Sequence, residues 1–156
     1  MKQLIRKILF IGLIIFLLMQ FYQPVRNSDY GQVLPIHISK VYHIPKNVES
    51  ILQTSCYDCH SNNTQYPWYS YIQPIRLFME SHITKGKNDL NFSEWGNYSK
   101  RKQENKLDRI VKQIKTDEMP LPSYTLIHKN AVLTAAQKEQ MIKWTQKVSD
   151  SISKIN

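Results

Sequence analysis

Apolar residues follow three regimes along the chain. From Ile8 to Met19 no polar side chain interrupts them. Between residues 23 and 45 neither a 3.6 nor a 2.0 period holds, and Pro24, Pro35 and Pro45 punctuate the stretch, which predicts an extended tether. From Lys46 onward the spacing is helical. Val48, Ile51 and Leu52 form a short stripe. Ile75, Phe78, Met79 and His82 recur at i, i+3, i+4 and i+7 after Pro74, with Gly86 expected to end that helix. Leu107, Ile110, Val111 and Ile114 mark a lysine-rich helix over roughly 99–116. Thr134 with Gln137 reads as a capping box before a last helix lined by Met141, Trp144, Val148 and Ile152. No alternating strand and no internal repeat stand out. The pattern predicts a small all-α domain with long, aromatic-rich loops.

The N-terminal run has the layout of an export signal, because Lys2, Arg6 and Lys7 precede the apolar stretch. Twelve residues of helix reach only about 18 Å, short of a hydrocarbon core of about 30 Å. Counting from Leu4 to Tyr22 gives about 28 Å, provided Arg6 and Lys7 snorkel and Phe21 and Tyr22 sit in the opposite aromatic belt. The flank Gln20-Phe21-Tyr22-Gln23-Pro24-Val25-Arg26 is bulky where a signal peptidase needs small residues. Residues 1–22 are therefore expected to stay as a signal anchor or transmembrane helix, the alternative being a cleaved signal that releases the rest to the periplasm. The cationic N-terminus puts the remaining chain outside the cytoplasm, on the outer side of the inner membrane. Residues 23–45 would then be the tether, with His37 and His43 solvated, and 46–156 the functional domain.

Composition narrows the class further. With 156 residues, 42% hydrophobic and 21% charged, the chain has room for one packed domain and is too apolar for disorder. Two cysteines exclude a disulfide-framed mini-protein, and four glycines leave little for a Gly-rich nucleotide loop. The net charge of +9 is spread thinly, with no basic run longer than Lys100-Arg101-Lys102, so nucleic acid is not an expected partner.

The chemistry concentrates in Ser55-Cys56-Tyr57-Asp58-Cys59-His60, which contains C-x-x-C-H, the attachment signature of c-type haem. Thiols at i and i+3 lie about one helical turn apart, a spacing that suits two vinyl groups, and a histidine at i+4 shares their face and reaches the iron. Three other readings compete. Zinc would add His82 or His128 to the two thiolates and His60, without the second close-spaced ligand pair such sites usually show. A thioredoxin-like motif needs a preceding strand in an α/β fold. A disulfide across i and i+3 closes a very small loop.

Met119 is the first candidate for the distal iron ligand, in Asp117-Glu118-Met119-Pro120-Leu121-Pro122, where two prolines stiffen a loop between helices. Met/His ligation suits electron transfer. His82 is the alternative distal ligand and His128 a lesser one. Tyr66-Pro67-Trp68-Tyr69-Ser70-Tyr71 supplies rings to cover a porphyrin edge.

Cys56-Tyr57-Asp58-Cys59-His60-Ser61-Asn62, Tyr66-Pro67-Trp68-Tyr69, His82, Leu90-Asn91-Phe92-Ser93, Met119-Pro120 and Tyr124 together resemble the haem-binding domain family, small exported bacterial proteins with one C-x-x-C-H. The similarity covers about 40–150. It implies one covalent haem c per chain through Cys56 and Cys59 with His60 on the iron, while the distal ligand Met119 rests on the local argument. The order of parts is also similar to class I cytochromes c. The expected function is a membrane-tethered one-electron carrier without bond chemistry of its own, serving an unidentified redox protein partner. Lys100, Arg101, Lys102 and Lys106 read first as a solvated helix face, the alternative being a surface that steers an acidic partner. The alternative is a haem sensor or peroxide-linked haem protein with an open sixth site, and a more distant one a zinc-stabilised interaction module.

Overall fold

The computed structural model of the chain describes residues 1–154. Their regular elements are all helical: α1 (Lys2–Met19), α2 (Ile38–Val41), α3 (Lys46–Ser55), α4 (Tyr57–His60), α5 (Ile75–Asp89), α6 (Lys100–Lys115), α7 (Pro122–Thr125) and α8 (Ala135–Ser153). Short 3-10 turns cover Trp68–Tyr71, Phe92–Asn97 and Lys129–Ala131. The all-α class expected from the periodicity is the class found, and with no strand among the described residues the thioredoxin-like reading loses its α/β frame.

The core is built where the stripes predict it. Ser99 caps α6 by accepting a hydrogen bond from the Lys102 N–H, and the helix buries Leu107 and Ile114. Thr134 and Gln137 form the reciprocal box at the start of α8, with 3.2 Å and 2.9 Å bonds, and that helix buries Met141, Trp144, Val148 and Ile152. The two helices pack against each other, and α3 crosses α8 with Val48, Ile51 and Leu52 inward. Trp95 is fully buried and stacks on Phe92, ring centroids 6.1 Å apart. Each such side chain contributes about 1.5–3 kcal/mol by leaving water.

Three stretches differ from their sequence reading. Within the 23–45 segment, α2 forms and Ile38 is wholly buried in the core. His37 is buried too, rather than solvated. Its Nδ1 accepts from the Ser39 N–H at 3.2 Å and caps α2, while its ring meets Tyr57 edge-on. A segment this short shows too few residues for a period, so its one core anchor is invisible as a pattern.

The second difference concerns α5. Gly86 does not end that helix, which continues to Asp89. The Ile75, Phe78, Met79, His82 stripe does not enter the protein core either. The residues α5 buries are Arg76 and Ile83, and Ile75 and Phe78 remain exposed.

At the N-terminus, α1 ends at Met19 rather than running on to Tyr22, and none of its residues is buried. No helix among the described residues is long and apolar enough to cross a membrane. Lys2, Arg6 and Lys7 occupy its first two turns and shorten its apolar length.

Candidate haem site

α3 stops at Ser55 because Cys56 leaves helical geometry, with φ −129° and ψ −46°. The chain then makes one turn, α4, closed by the Cys59 and His60 N–H groups on the Cys56 carbonyl at 3.2 Å and 3.0 Å. The motif is thus one isolated turn, not part of a longer helix. Both cysteines carry free, partly exposed thiols. Burial, followed by mutual charge repulsion, pushes the Cys56 thiol up to about 12. Burial, followed by the Asp58 carboxylate, pushes Cys59 up to about 11. Both are therefore neutral thiols near pH 7.

His60 is held from behind. Its Nδ1 lies 3.0 Å from both the Gly86 and the Leu90 carbonyl oxygens. Carbonyls only accept, so Nδ1 carries the proton and Nε2 keeps its lone pair free, as a metal-bound imidazole requires. Burial lowers the His60 pKa, against the raising effect of those two carbonyls, and keeps the ring neutral. Gly86 makes this approach possible. A Cβ there would sit 2.5 Å from the Cys59 carbonyl oxygen, so α4 can lie on α5 only where α5 has no side chain.

Around the turn lie adjoining clefts. One of about 640 Å³ is walled by Cys59, Tyr69, Ile75, Phe78, Met79 and His82 on one side and by Leu121, Tyr124 and His128 on the other. Its neighbour, about 820 Å³, is lined by Cys56, Cys59, His60, His82, Met119 and Tyr124. A third space of about 520 Å³ brings Met119 together with Cys56, His60 and Leu90. The α5 stripe that the core does not use is the wall of this cleft. An apolar helix face left open beside two thiols and an imidazole with a free Nε2 fits a large, flat, apolar cofactor, and the residues present fit a haem.

Met119 comes from the α6–α7 loop, where the Glu118 and Met119 N–H groups bond the Gln113 carbonyl at 3.0 Å and 3.3 Å. It shares two clefts with His60. His82 shares one of them and sits on α5, a turn before the Gly86 carbonyl that holds His60. The His82 Nδ1 donates to the Phe78 carbonyl at 2.9 Å, and its ring packs on Phe78. His128 is engaged otherwise: its Nε2 is 2.5 Å from the Tyr69 hydroxyl and its ring stacks on Tyr124 at 4.2 Å. Among the described residues no group of three or more His, Cys, Asp or Glu is placed to hold a metal ion, which removes the support for the zinc reading.

Asp58, between the two cysteines, joins α4 to the far wall. Its Oδ2 accepts from the Tyr124 hydroxyl at 2.7 Å and its Oδ1 from the Gln65 N–H at 2.9 Å. Burial, then the Asp58 contact, raises the Tyr124 pKa far above its ordinary value, so the hydroxyl stays a donor. The sequence reading takes Gly86 only as a helix end and passes over this link. An isolated glycine within a helical pattern was the available signal for Gly86; nothing in the sequence pairs Asp58 with a tyrosine 66 positions away.

An all-helical domain with an open apolar cleft and a rear-braced histidine beside two thiols defines a haem-binding protein. The family model of the haem-binding domain matches residues 14–147, and the chain belongs to that family. No curated protein and no solved structure matches it.

Proposed function

We propose that this haem-binding protein carries one covalent haem c and works as a one-electron carrier, without bond-making chemistry on a substrate. The observation that carries the reading is the His60 imidazole, whose Nδ1 is committed to Gly86 and Leu90 while Nε2 stays free beside the Cys56 and Cys59 thiols. Each thiol would hold the haem by adding its sulfur and its proton across one vinyl group, the S–H and C=C π bonds giving way to C–S and C–H bonds with no oxidant consumed. Neutral, partly buried thiols react slowly without help, which accords with attachment by a maturation system.

Once bound, a haem supplies the one-electron chemistry. The chain's own residues hold its surroundings constant. His60 keeps its orientation through two carbonyls, the α5 wall of Ile75, Phe78 and Met79 would exclude water, and Met119 would hold the iron from the other side. Met119 is favoured over His82 because it shares both spaces that His60 lines, whereas His82 rises from the helix that braces His60. Methionine opposite histidine raises the potential and keeps the iron six-coordinate, a state suited to electron transfer over gas or peroxide binding.

Export and membrane attachment belong to the same proposal. The wholly exposed apolar surface of α1 behind Lys2, Arg6 and Lys7 is the kind that lipid covers, and haem c attachment on the outer face of the cytoplasmic membrane accords with the haem domain working there. A redox partner protein would meet the exposed Lys100, Arg101 and Lys102. Lys106 is tied to the Asp89 backbone carbonyl and side chain and is mostly covered, so it drops out of that patch.

The test is an alkaline pyridine spectrum of the chain made in a host with c-type maturation, after extraction with acidified acetone. A haem c band surviving extraction in the wild type, and absent in Cys56→Ala/Cys59→Ala, is the expected result. A band that extracts fully from the wild type overturns covalent attachment.

A further inference from the structure

The chain between α1 and α2 begins as a strap bonded to the haem domain. Arg76, on the first turn of α5, is buried, and its guanidinium Nη1 donates to Gln23 Oε1 at 2.7 Å and its Nη2 to the Pro24 carbonyl. Gln73, fully buried, exchanges bonds with the Gln20 side chain at 3.0 Å and 3.3 Å, and its Nε2 donates to the Tyr22 carbonyl at 2.6 Å. Four residues on, Asn27 donates from Nδ2 to the Ser61 carbonyl at 2.8 Å and to Thr64 Oγ1 at 2.9 Å. Removing any of these partners strands a buried polar group, at a cost that keeps the strap down.

Fixing residues 20–27 to α5 also gathers side chains that the cleft does not use. Phe21, Tyr22 and Val25 (91% exposed) flank the joint on the strap. Trp68 (76% exposed), Tyr71 and Leu77 flank it on the haem domain. Trp68 and Tyr71, expected from the sequence to cover a porphyrin edge, line no cleft beside the haem motif, where Tyr69 alone of that stretch's rings does. The other four line none either, so a bound haem leaves the six bare. Arg26 lies over the Tyr71 ring at 4.2 Å, setting a cation among aromatic and aliphatic groups. Exposed apolar side chains gathered about one joint mark a surface that meets a partner or a membrane. Trp and Tyr beside Arg, at the end of an apolar helix, is the composition of a membrane interface.

We propose that this patch lies on the surface of the bilayer that takes α1, so that the haem domain is held against the membrane in one orientation instead of swinging on a tether. The inference rests on the membrane reading of α1. Continuity decides the occupant: the strap that bonds to Gln73 and Arg76 leads directly into α1, whose whole apolar length is uncovered. A lipid surface therefore extends past α1 onto the six residues.

The full-length haem protein, reconstituted in oriented phospholipid multilayers, reports its orientation through the electron paramagnetic resonance of the ferric haem. The expected result is a signal whose amplitude at each principal g value changes with the angle between field and membrane normal. Trp68→Glu/Leu77→Glu, two changes of exposed side chains that themselves line no cleft, should abolish that dependence with haem content and resistance to alkaline carbonate washing retained. Gln73→Ala/Arg76→Ala should do the same. A wild-type signal independent of angle, in protein that still resists carbonate, overturns the docked orientation and leaves the tethered carrier standing. Release by carbonate with haem intact overturns the membrane reading, and this inference with it. A dimer in detergent that Trp68→Glu/Leu77→Glu converts to monomer overturns lipid as the occupant in favour of a second copy of the chain.

Discussion

Gly86 meets Cys59 backbone to backbone, so closely that a Cβ on Gly86 would stand 2.5 Å from the Cys59 carbonyl oxygen and 3.3 Å from its Cβ. The same residue offers its carbonyl to His60 Nδ1 at 3.0 Å. One helical position thus sets both how near the haem motif lies to α5 and which way its histidine turns.

Gly86→Ala tests this directly. In an open helix the change is worth up to about 1 kcal/mol of stability. Here the nearest neighbour is the Cys59 backbone rather than a flexible side-chain end, and overpacking of this kind costs about 1–3 kcal/mol. The variant should unfold at lower urea concentration and carry less covalent haem per chain, measured as a haem-to-protein absorbance ratio. Equal or higher stability with full haem content would show that α4 does not rest on Gly86.

Stripes that pack protein on protein were legible from spacing alone. Leu107 and Ile114 on α6, and Met141, Trp144, Val148 and Ile152 on α8, are buried as their periods predict. The capping box of Thr134 and Gln137 forms as written. The α5 stripe was legible as a stripe but not for what it faces. A period of 3.6 says that one face avoids water, and a cofactor wall satisfies it as well as a core does. The buried side of α5 is set by Arg76, whose charge hides it from any hydropathy reading, although strap acceptors pair it. Asp58 with Tyr124 and His37 with Ser39 depend on tertiary approach or on one isolated position, which periodicity does not register.

His37 gives stability a pH dependence. Burial is the largest effect on its pKa and lowers it; the Glu49 and Asp29 carboxylates oppose that shift and Lys40 reinforces it. Because the folded form binds its proton less readily than the unfolded chain, this contribution is present above the unfolded value near 6.5 and is lost as pH falls from there through the folded pKa. Protonation also removes the Nδ1 acceptor that caps α2, a loss of about 1 kcal/mol. His37→Asn keeps a capping oxygen without a titrating group. Its urea midpoint should fall less than that of the wild type between pH 7 and pH 5, and parallel curves would remove His37 as the cause.

The Tyr124–Asp58 bond is charge-assisted and half-buried, the kind worth about 1.5–3 kcal/mol. Tyr124→Phe preserves the ring that stacks on His128 and removes only the donor. Asp58 keeps its second bond, to the Gln65 N–H, so the expected loss sits at the lower end, about 1–2 kcal/mol. Urea titration of the haem-loaded protein measures it. An unchanged midpoint would mean that the far wall is held by ring packing and not by the carboxylate.

Carbon monoxide distinguishes Met119 from His82. Both side chains line the cleft beside His60, and only the one bonded to iron has to leave before the gas binds. If the Met119-off state is near 1% of the reduced population, apparent affinity in the wild type is about 100-fold below that of a five-coordinate site. Met119→Ala should recover that factor and speed binding, whereas His82→Ala should leave the binding curve of the wild type unchanged, since Met119 shares both spaces that His60 lines and His82 only one. The reverse pattern transfers the distal role to His82 and makes the site bis-histidine. Full, rapid binding by the wild type would mean that neither residue ligates, and the protein would then be read as a haem sensor or peroxide-linked protein with an open sixth position, not as an electron carrier.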